Sequence, residues 1–174
     1  SKNPFYKNFL HVAPEAELQR LFASKSRNYI CGDTDPKKYS NLNATYLDLT
    51  DINFECDFFD CIYASHILEH IVDDIKAMKE MYRVLVKGGK LLTMVPQNMN
   101  LATTYEDSRI TEPKDRLKAF GQYNHVRQYG LDFPERLKSV GFLIEMYTGT
   151  ELSDVDRVKF NIPASCILYI CTKQ

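Results

Sequence analysis

Between Phe59 and Val95 the apolar positions fall into three blocks. Phe59-Asp60-Cys61-Ile62-Tyr63-Ala64 is a nearly continuous run that stops at Ser65-His66. Ile67, Leu68, Ile71, Ile75, Met78, Met81, Tyr82 and Leu85 then recur at three- and four-residue steps, the spacing of one helical face. Leu91-Leu92-Thr93-Met94-Val95 lacks clean alternation, as expected of a strand covered on both faces. The pattern predicts a strand–helix–strand unit, right-handed by default. Asp73 and Asp74 near the helix start, with Arg83 and Lys87 near its end, complement the macrodipole. Gly88 is positioned to stop the helix in a left-handed conformation. The loop after the first strand of such a unit is where open α/β sheets hold ligands.

The same reading extends to the rest of the chain. Phe9 to Val12, Asn28 to Gly32 and Ala44 to Leu47 read as three strands, each followed by a polar turn. Glu17 to Ala23 reads as a helix with Leu18, Leu21 and Phe22 inward. From Asn98 to Gly130 polar and aromatic residues mix without a strong period, which predicts loops and short helices. Asp132 to Val140 returns to helix, with Gly141 as its stop. Phe142 to Tyr147 and Cys166 to Thr172 are late strands flanking a polar segment from Gly149 to Pro163, and an antiparallel pair is the simplest arrangement. Alternating strands and helices in the first half predict an α/β fold with a mostly parallel sheet.

Composition narrows the class. A chain of 174 residues with 44% hydrophobic content supports one domain with a real core. Its 22 basic and 23 acidic residues give a net charge of −1, no footprint for nucleic acid. The five cysteines (Cys31, Cys56, Cys61, Cys166, Cys171) include no Cys-x-x-Cys pair, and several sit in apolar runs. These features predict a reducing, cytoplasmic setting without disulfides or structural zinc. No apolar stretch has the length of a membrane span, and Ser1-Lys2-Asn3-Pro4 carries no signal-peptide pattern. The oligomeric state is not readable.

Two segments carry a family likeness. His66-Ile67-Leu68-Glu69-His70-Ile71 with Asp73-Asp74, followed by Glu80-x-x-Arg83-Val84-Leu85-x-Lys87-Gly88-Gly89, resembles the signature of class I S-adenosylmethionine-dependent methyltransferases. Thr104 to Asp107, Phe120 to Gly130 and Leu10-His11-Val12-Ala13-Pro14-Glu15 are similar to a narrower, methyltransferase type 11-like bacterial branch. The resemblance implies residues 1–174 as one Rossmann-like doubly wound domain. Its seven-stranded sheet would be mostly parallel with the last strand antiparallel, and S-adenosylmethionine would lie across the ends of the first four strands. Relatives carry additional N-terminal sequence, often a cysteine-bearing module, so the chain reads as a short member or a piece of a longer one. Most members also have a glycine-rich loop after the first strand. Here that segment is His11-Val12-Ala13-Pro14-Glu15, where Pro14 removes a backbone donor.

Under that resemblance the candidate cofactor residues are Ala13, Glu15, Asp33, Asp48, Leu49, Ala64, Ser65 and His66. A carboxylate after the second strand, Asp33 before Asp35, suits a ribose diol; it equally suits a turn through Thr34-Asp35-Pro36. Asp48 suits the adenine amino group, with the Leu49 amide on a ring nitrogen, or an Asx-turn. Glu15 suits the cofactor's ammonium group. Ala64, Ser65 and His66 would line the methionine and sulfonium region, with Ser65 also a helix cap. Glu69 and His70 read as structural, His70 bonding a neighbouring loop. On the acceptor side His125 is the candidate general base or, alternatively, a histidine that fixes its segment to the core. Arg127 suits an anionic acceptor or an ion pair with Glu106 or Asp107. Tyr105 and Tyr129 are candidate acceptor contacts, and no metal ligand set is read. The expected function is methyl transfer to an oxygen or nitrogen of a small molecule or glycan. The alternatives are a non-catalytic cofactor- or partner-binding module and a nicotinamide enzyme. The last is disfavoured because the first turn has no G-x-G-x-x-G.

Overall fold

Strand β1 (Tyr6–Val12) is buried over its last five residues, and β4 (Phe59–Ser65) over nearly its whole length. These two strands pair in parallel at the centre of the sheet, which explains why their sequences show apolar runs rather than alternation. The computed structural model describes residues 5–174. The segment Ser1–Pro4, read above for a leader, lies outside them.

Around this pair the elements run in the order α1 (Ala16–Lys25), β2 (Ser26–Asp33), a 3-10 segment (Pro36–Leu42), β3 (Thr45–Tyr46), β4, a 3-10 turn (Leu68–His70), α2 (Asp74–Val84) and β5 (Leu85–Met94). Then follow β6 (Tyr105–Glu106), α3 (Pro113–Phe120), β7 (Arg127–Gln128), α4 (Phe133–Val140), β8 (Phe142–Thr148), a 3-10 turn (Gly149–Glu151), α5 (Asp154–Phe160) and β9 (Ile167–Lys173). The seven-stranded sheet has the order β3-β2-β1-β4-β5-β9-β8. All pairings are parallel except those of the last strand, β9, with β5 and β8. This is the Rossmann-like sheet expected from the sequence. Its order reverses between β1 and β4, the switch point at which open sheets leave a crevice.

The two faces of the central strands are covered differently. Leu10, Val12, Ile62 and Ala64 join the main core with Met78 and Met81 of α2 and Phe133 and Leu137 of α4. Phe9, Cys61 and Tyr63 point the other way, against Leu18 and Phe22 of α1. Fully burying each large apolar side chain contributes about 1.5–3 kcal/mol.

Three expectations need correction. The apolar spacing from Ile67 to Leu85 is not one helix: a 3-10 turn precedes α2, which starts at Asp74 with Asp73 as N-cap, its side chain accepting the Lys76 amide at 2.9 Å. Nor does Gly88 stop α2. The helix ends at Val84, where the amides of Asp57 and Phe58 bond the carbonyls of Arg83 and Val84, and Lys173 Nζ reaches that of Leu85. Gly88, at φ 77°, instead lies within β5 beside a register shift against β4. The polar stretch from Gly149 to Pro163 contains α5, capped by Ser153 through the Asp156 amide. Other bounds moved by only a few residues, and Gly141 ends α4 at φ 114°.

Candidate functional site

At the carboxyl edge of β1, β2 and β4 lies a cavity of about 610 Å³. That is within the usual range for a small-molecule site. Three turns form most of its wall: Val12–Ala13 after β1, Asp33–Thr34 after β2, and Ser65–Ile67 after β4. Leu47, Asp48 and Leu49 after β3 close one side. Gly32 permits this closure, since a Cβ there would lie 2.6 Å from the Leu47 Cβ and 2.8 Å from the Thr45 carbonyl oxygen.

Asp33 and Asp48 face this space while also holding their own turns. One oxygen of Asp33 accepts the Asp35 amide at 2.7 Å, and one of Asp48 accepts the Thr50 amide and hydroxyl at 2.7 and 2.8 Å. The turn bonds hold one oxygen of each carboxylate, in residues that also line the cavity, so a turn role and a ligand role are compatible.

Two non-glycine residues in the wall, Ala13 and His66, have left-handed backbones, with φ 47° and 54°. Such a conformation costs about 1–2 kcal/mol for a side chain with a Cβ. Each is locked by its amide, Ala13 to the Gly32 carbonyl and His66 to the Met94 carbonyl, both at 2.8 Å. The glycine-free first turn thus reaches the left-handed geometry with alanine, the smallest chiral side chain. Backbone strain of this kind concentrates at ligand-holding positions.

A second cavity, of about 440 Å³, opens on the far side of the Leu68–His70 turn, between Pro96–Asn98 and the Phe120–Gln128 segment. His125 lines it and is buried. Burial, followed by the nearby charge of His70, pushes the His125 pKa down, so the imidazole is neutral. Its ring meets that of His70 edge-on at 4.8 Å, and His70 lines the first cavity. His66 has the opposite shift: hydrogen bonding to Glu69 raises its pKa, with Glu69 Oε1 3.6 Å from its Nδ1.

The other acceptor-side candidates are engaged inside the protein. Arg127 is 2% exposed. Its Nε donates to Glu106 at 2.9 Å, and its terminal nitrogens donate to the carbonyls of Leu68, Ile71 and Val72. Four of its five N–H groups are thus engaged, and the fifth lies on the nitrogen 3.8 Å from Asp74 Oδ1, so the side chain is held inside the protein. Tyr129 is fully buried and donates to Asp74 Oδ2 at 2.7 Å, and burial drives its pKa up. Arg136 adds two more bonds to Asp74, at 3.0 and 2.7 Å. This network anchors β7 and α4 to the start of α2. Tyr105 is half-exposed at the edge of β6, its ring 5.7 Å from that of Phe120.

Residues 15–93 match the family described as a methyltransferase domain. That match covers a little under half of the chain, and over it the chain is similar to a methyltransferase domain. The ubiquinone/menaquinone biosynthesis C-methyltransferase UbiE of Pectobacterium carotovorum is 37% identical over 94 residues, 52% of this chain and 35% of that protein. The chain thus spans about a third of the length of that relative. Among solved structures, an S-adenosylmethionine-dependent methyltransferase from Mesorhizobium loti superposes with a TM-score of 0.70 at 15% identity, covering 99% of this chain and 93% of that one. A Haemonchus contortus phosphoethanolamine N-methyltransferase 2, solved with phosphomonomethylethanolamine and S-adenosylhomocysteine, gives 0.63 at 16% identity, over 98% of this chain and half of that one. At these identities the structures attest the fold alone.

The fold brings Ala13, Asp33, Asp48, Leu49, Ser65 and His66 to one cavity. Two other sequence candidates lie elsewhere. Glu15 begins α1 and accepts from His11 Nε2 at 2.7 Å, while the buried His11 ring meets the Tyr29 hydroxyl through Nδ1. Ala64 is in the core, where its carbonyl takes the Thr93 hydroxyl at 2.7 Å. The donor set still suits an adenosyl ligand. It combines carboxylates at the ends of β2 and β3, apolar Leu47 and Leu49, and strained backbone at the ends of β1 and β4. Sequence reading missed Tyr39, Ile67, His70 and Asn124 in the wall. Tyr39 and Asn124 come from irregular segments with no period to orient them. His70 was read as bonding a neighbouring loop, which its Nδ1 does at the Asn124 carbonyl, 3.3 Å away, and it lines the cavity as well.

Proposed function

We propose that this domain binds S-adenosylmethionine in the carboxyl-edge cavity and transfers its methyl group to an oxygen or nitrogen of a small molecule or glycan. The observation that carries this reading is the convergence of Asp33, Asp48 and the Ser65–His66 turn on one cavity at the switch point of the sheet. Asp33 takes the ribose hydroxyls, and Asp48 with the Leu49 amide takes the adenine edge. The backbone of Ala13, Ser65 and His66 surrounds the amino-acid end. When bound, the cofactor supplies an electrophilic methyl on a sulfonium. The acceptor enters the second cavity past Tyr105. There His125, neutral because burial disfavours its charge, can take a hydroxyl proton.

Two competing readings each have an observation in their favour. The curated relatives are named as C-methyltransferases, which supports a carbon acceptor. The engagement of Arg127 and Tyr129 inside the protein leaves few free polar groups on the acceptor side, which favours a cofactor-binding module without turnover. Among the described residues no helix is long and apolar enough to cross a membrane, so an acceptor carried to the domain from water fits.

Calorimetry with S-adenosylmethionine and with NAD, followed by a methyl-release assay over hydroxyl, amine and quinol acceptors, tests the proposal. Binding of the first ligand alone, with turnover on a hydroxyl or amine, supports it. NAD binding overturns it, turnover only on a quinol ring carbon replaces it, and binding without any turnover favours the module.

A further inference from the structure

Glu69, His70 and His125 form a cluster of which the methyl-transfer reading uses only His125, whose free ring nitrogen serves there as a base and here as a ligand, so the two roles are alternatives. One potential ligand atom from each lies within 4.8 Å of those of the other two. We propose that this cluster is a binding site for a divalent cation of the zinc type, located at the seam between the two cavities.

Three observations carry the assignment. Glu69 is 1% exposed, and its Oε2 is a buried oxygen without a hydrogen-bond partner. A buried carboxylate oxygen with no partner is costly, and a cation is one of the few groups that removes that cost. Both histidines are held by one ring nitrogen. His70 Nδ1 meets the Asn124 carbonyl at 3.3 Å, and His125 Nδ1 meets the Phe120 carbonyl at 3.4 Å. A carbonyl on Nδ1 fixes the proton there and leaves Nε2 with its lone pair, the state a metal requires. Bonds of this kind behind the ligands are typical of zinc sites. The ligands are also pre-assembled across 55 residues of chain, because the Val126 amide bonds the Glu69 carbonyl at 2.9 Å and Arg127 grips Leu68 and Ile71.

Two imidazoles and a carboxylate are a hard-to-borderline set that suits Zn²⁺, Co²⁺ or Ni²⁺ better than Mg²⁺ or Ca²⁺, which demand more oxygens. Three protein ligands leave a coordination position open, the arrangement of sites that act on a bound molecule rather than only brace a fold. His70 belongs to the wall of the first cavity and His125 to that of the second. An ion there would offer a Lewis acid to whatever occupies the space between them. Ion binding stands or falls independently of methyl transfer, because it is read without cofactor or acceptor.

The test is titration of the chelator-treated full chain with Zn²⁺ by calorimetry and with Co²⁺ by visible absorption, with thermal midpoints recorded in parallel. The expected result is one ion per chain, the absorption of low-coordinate cobalt, and a midpoint that rises with zinc concentration. Glu69→Gln and His125→Asn, each keeping its side chain's approximate shape, should weaken binding at least ~10-fold and abolish the rise. Their metal-free midpoints show whether each variant is folded. If His125→Asn does not fold, Glu69→Gln decides alone, since Gln fills the same space. Because Cys56 is an exposed thiol able to take zinc adventitiously, Cys56→Ser is the control. Binding that survives Glu69→Gln but disappears in Cys56→Ser overturns the proposal, as does failure of the wild-type chain to bind either ion.

Discussion

The carboxyl edge of β1–β4 and the segment from Gln97 to Tyr129 both contribute polar residues to cavities, yet they hold them by different means. At the edge, Asp33 and Asp48 use one carboxylate oxygen for a local turn while also lining the cavity. In the later segment Arg127, Tyr129 and Glu106 are tied to Asp74 and to the carbonyls around Ile71. Polar residues at strand ends are thus free for ligands because short-range turns satisfy them. Polar residues in a segment with little regular structure are consumed in attaching it to the core.

This contrast is sharpest under substitution. Asp74→Ala should be the most damaging change, because it strands Arg136 and the Tyr129 hydroxyl in the interior. Loss of one partner of a buried pair typically costs about 3–5 kcal/mol. Urea denaturation of the purified chain checks this, and a loss below ~1 kcal/mol would mean the network is ornamental. Arg127→Ala should follow, with a large stability loss but cofactor affinity close to that of wild type. If cofactor binding collapses while stability holds, the two regions are not separate in the way described.

Asp33→Ala and Asp48→Ala should behave the opposite way. Each removes a charged acceptor worth about 1.5–3 kcal/mol to a bound ligand, or ~10–100-fold in affinity, with stability changed by less than ~1 kcal/mol. Calorimetry and denaturation on the same preparations separate the effects. Ala13→Gly relaxes the left-handed turn after β1 and should raise stability by ~0.5–1 kcal/mol, the strain relieved less the extra freedom of the unfolded chain. A loss of stability there would show that the turn is not strained.

The smallest effect concerns the thiols. Cys56 is exposed, whereas burial pushes the Cys61 and Cys171 thiols up to about 12. Iodoacetamide at mildly alkaline pH should label Cys56 in the native chain and reach Cys61 and Cys171 only after unfolding, as read by mass spectrometry. Prompt labelling of Cys61 would contradict the packing of β4 against α1 and the sheet.

The same division marks how far the sequence could be read. Strands β1 and β4 were legible because burial on both faces writes itself as an apolar run, and β2 and β5 through shorter apolar runs that are buried only in part. The antiparallel β8–β9 pair was legible from two such runs late in the chain. The turn after β4 was not, since Ile67, Leu68 and Ile71 keep helical spacing while only Leu68–His70 forms a 3-10 turn. Apolar spacing reports which side chains face inward, not which backbone carries them. Asp33 and Asp48 could be placed beside the crevice because they follow strands. Glu15 was misdirected by proximity in sequence: His11, four residues earlier, is buried beside it and takes its carboxylate. For Arg127 the ion pair with Glu106 was one of the two readings and is present, whereas its backbone partners, carbonyls 55 to 59 residues away, leave no trace in the local sequence.

The central claim is that the crevice between the ends of β1 and β4 holds an adenosyl ligand. Co-crystallisation with S-adenosylhomocysteine tests it most directly. The account predicts ribose hydroxyls on Asp33, the adenine edge at Asp48 and Leu49, and the amino-acid end against the backbone of Ala13 and Ser65. Ligand density elsewhere, for instance in the apolar groove beside Tyr63 and Leu168, or a crevice filled by the protein's own side chains, would contradict it.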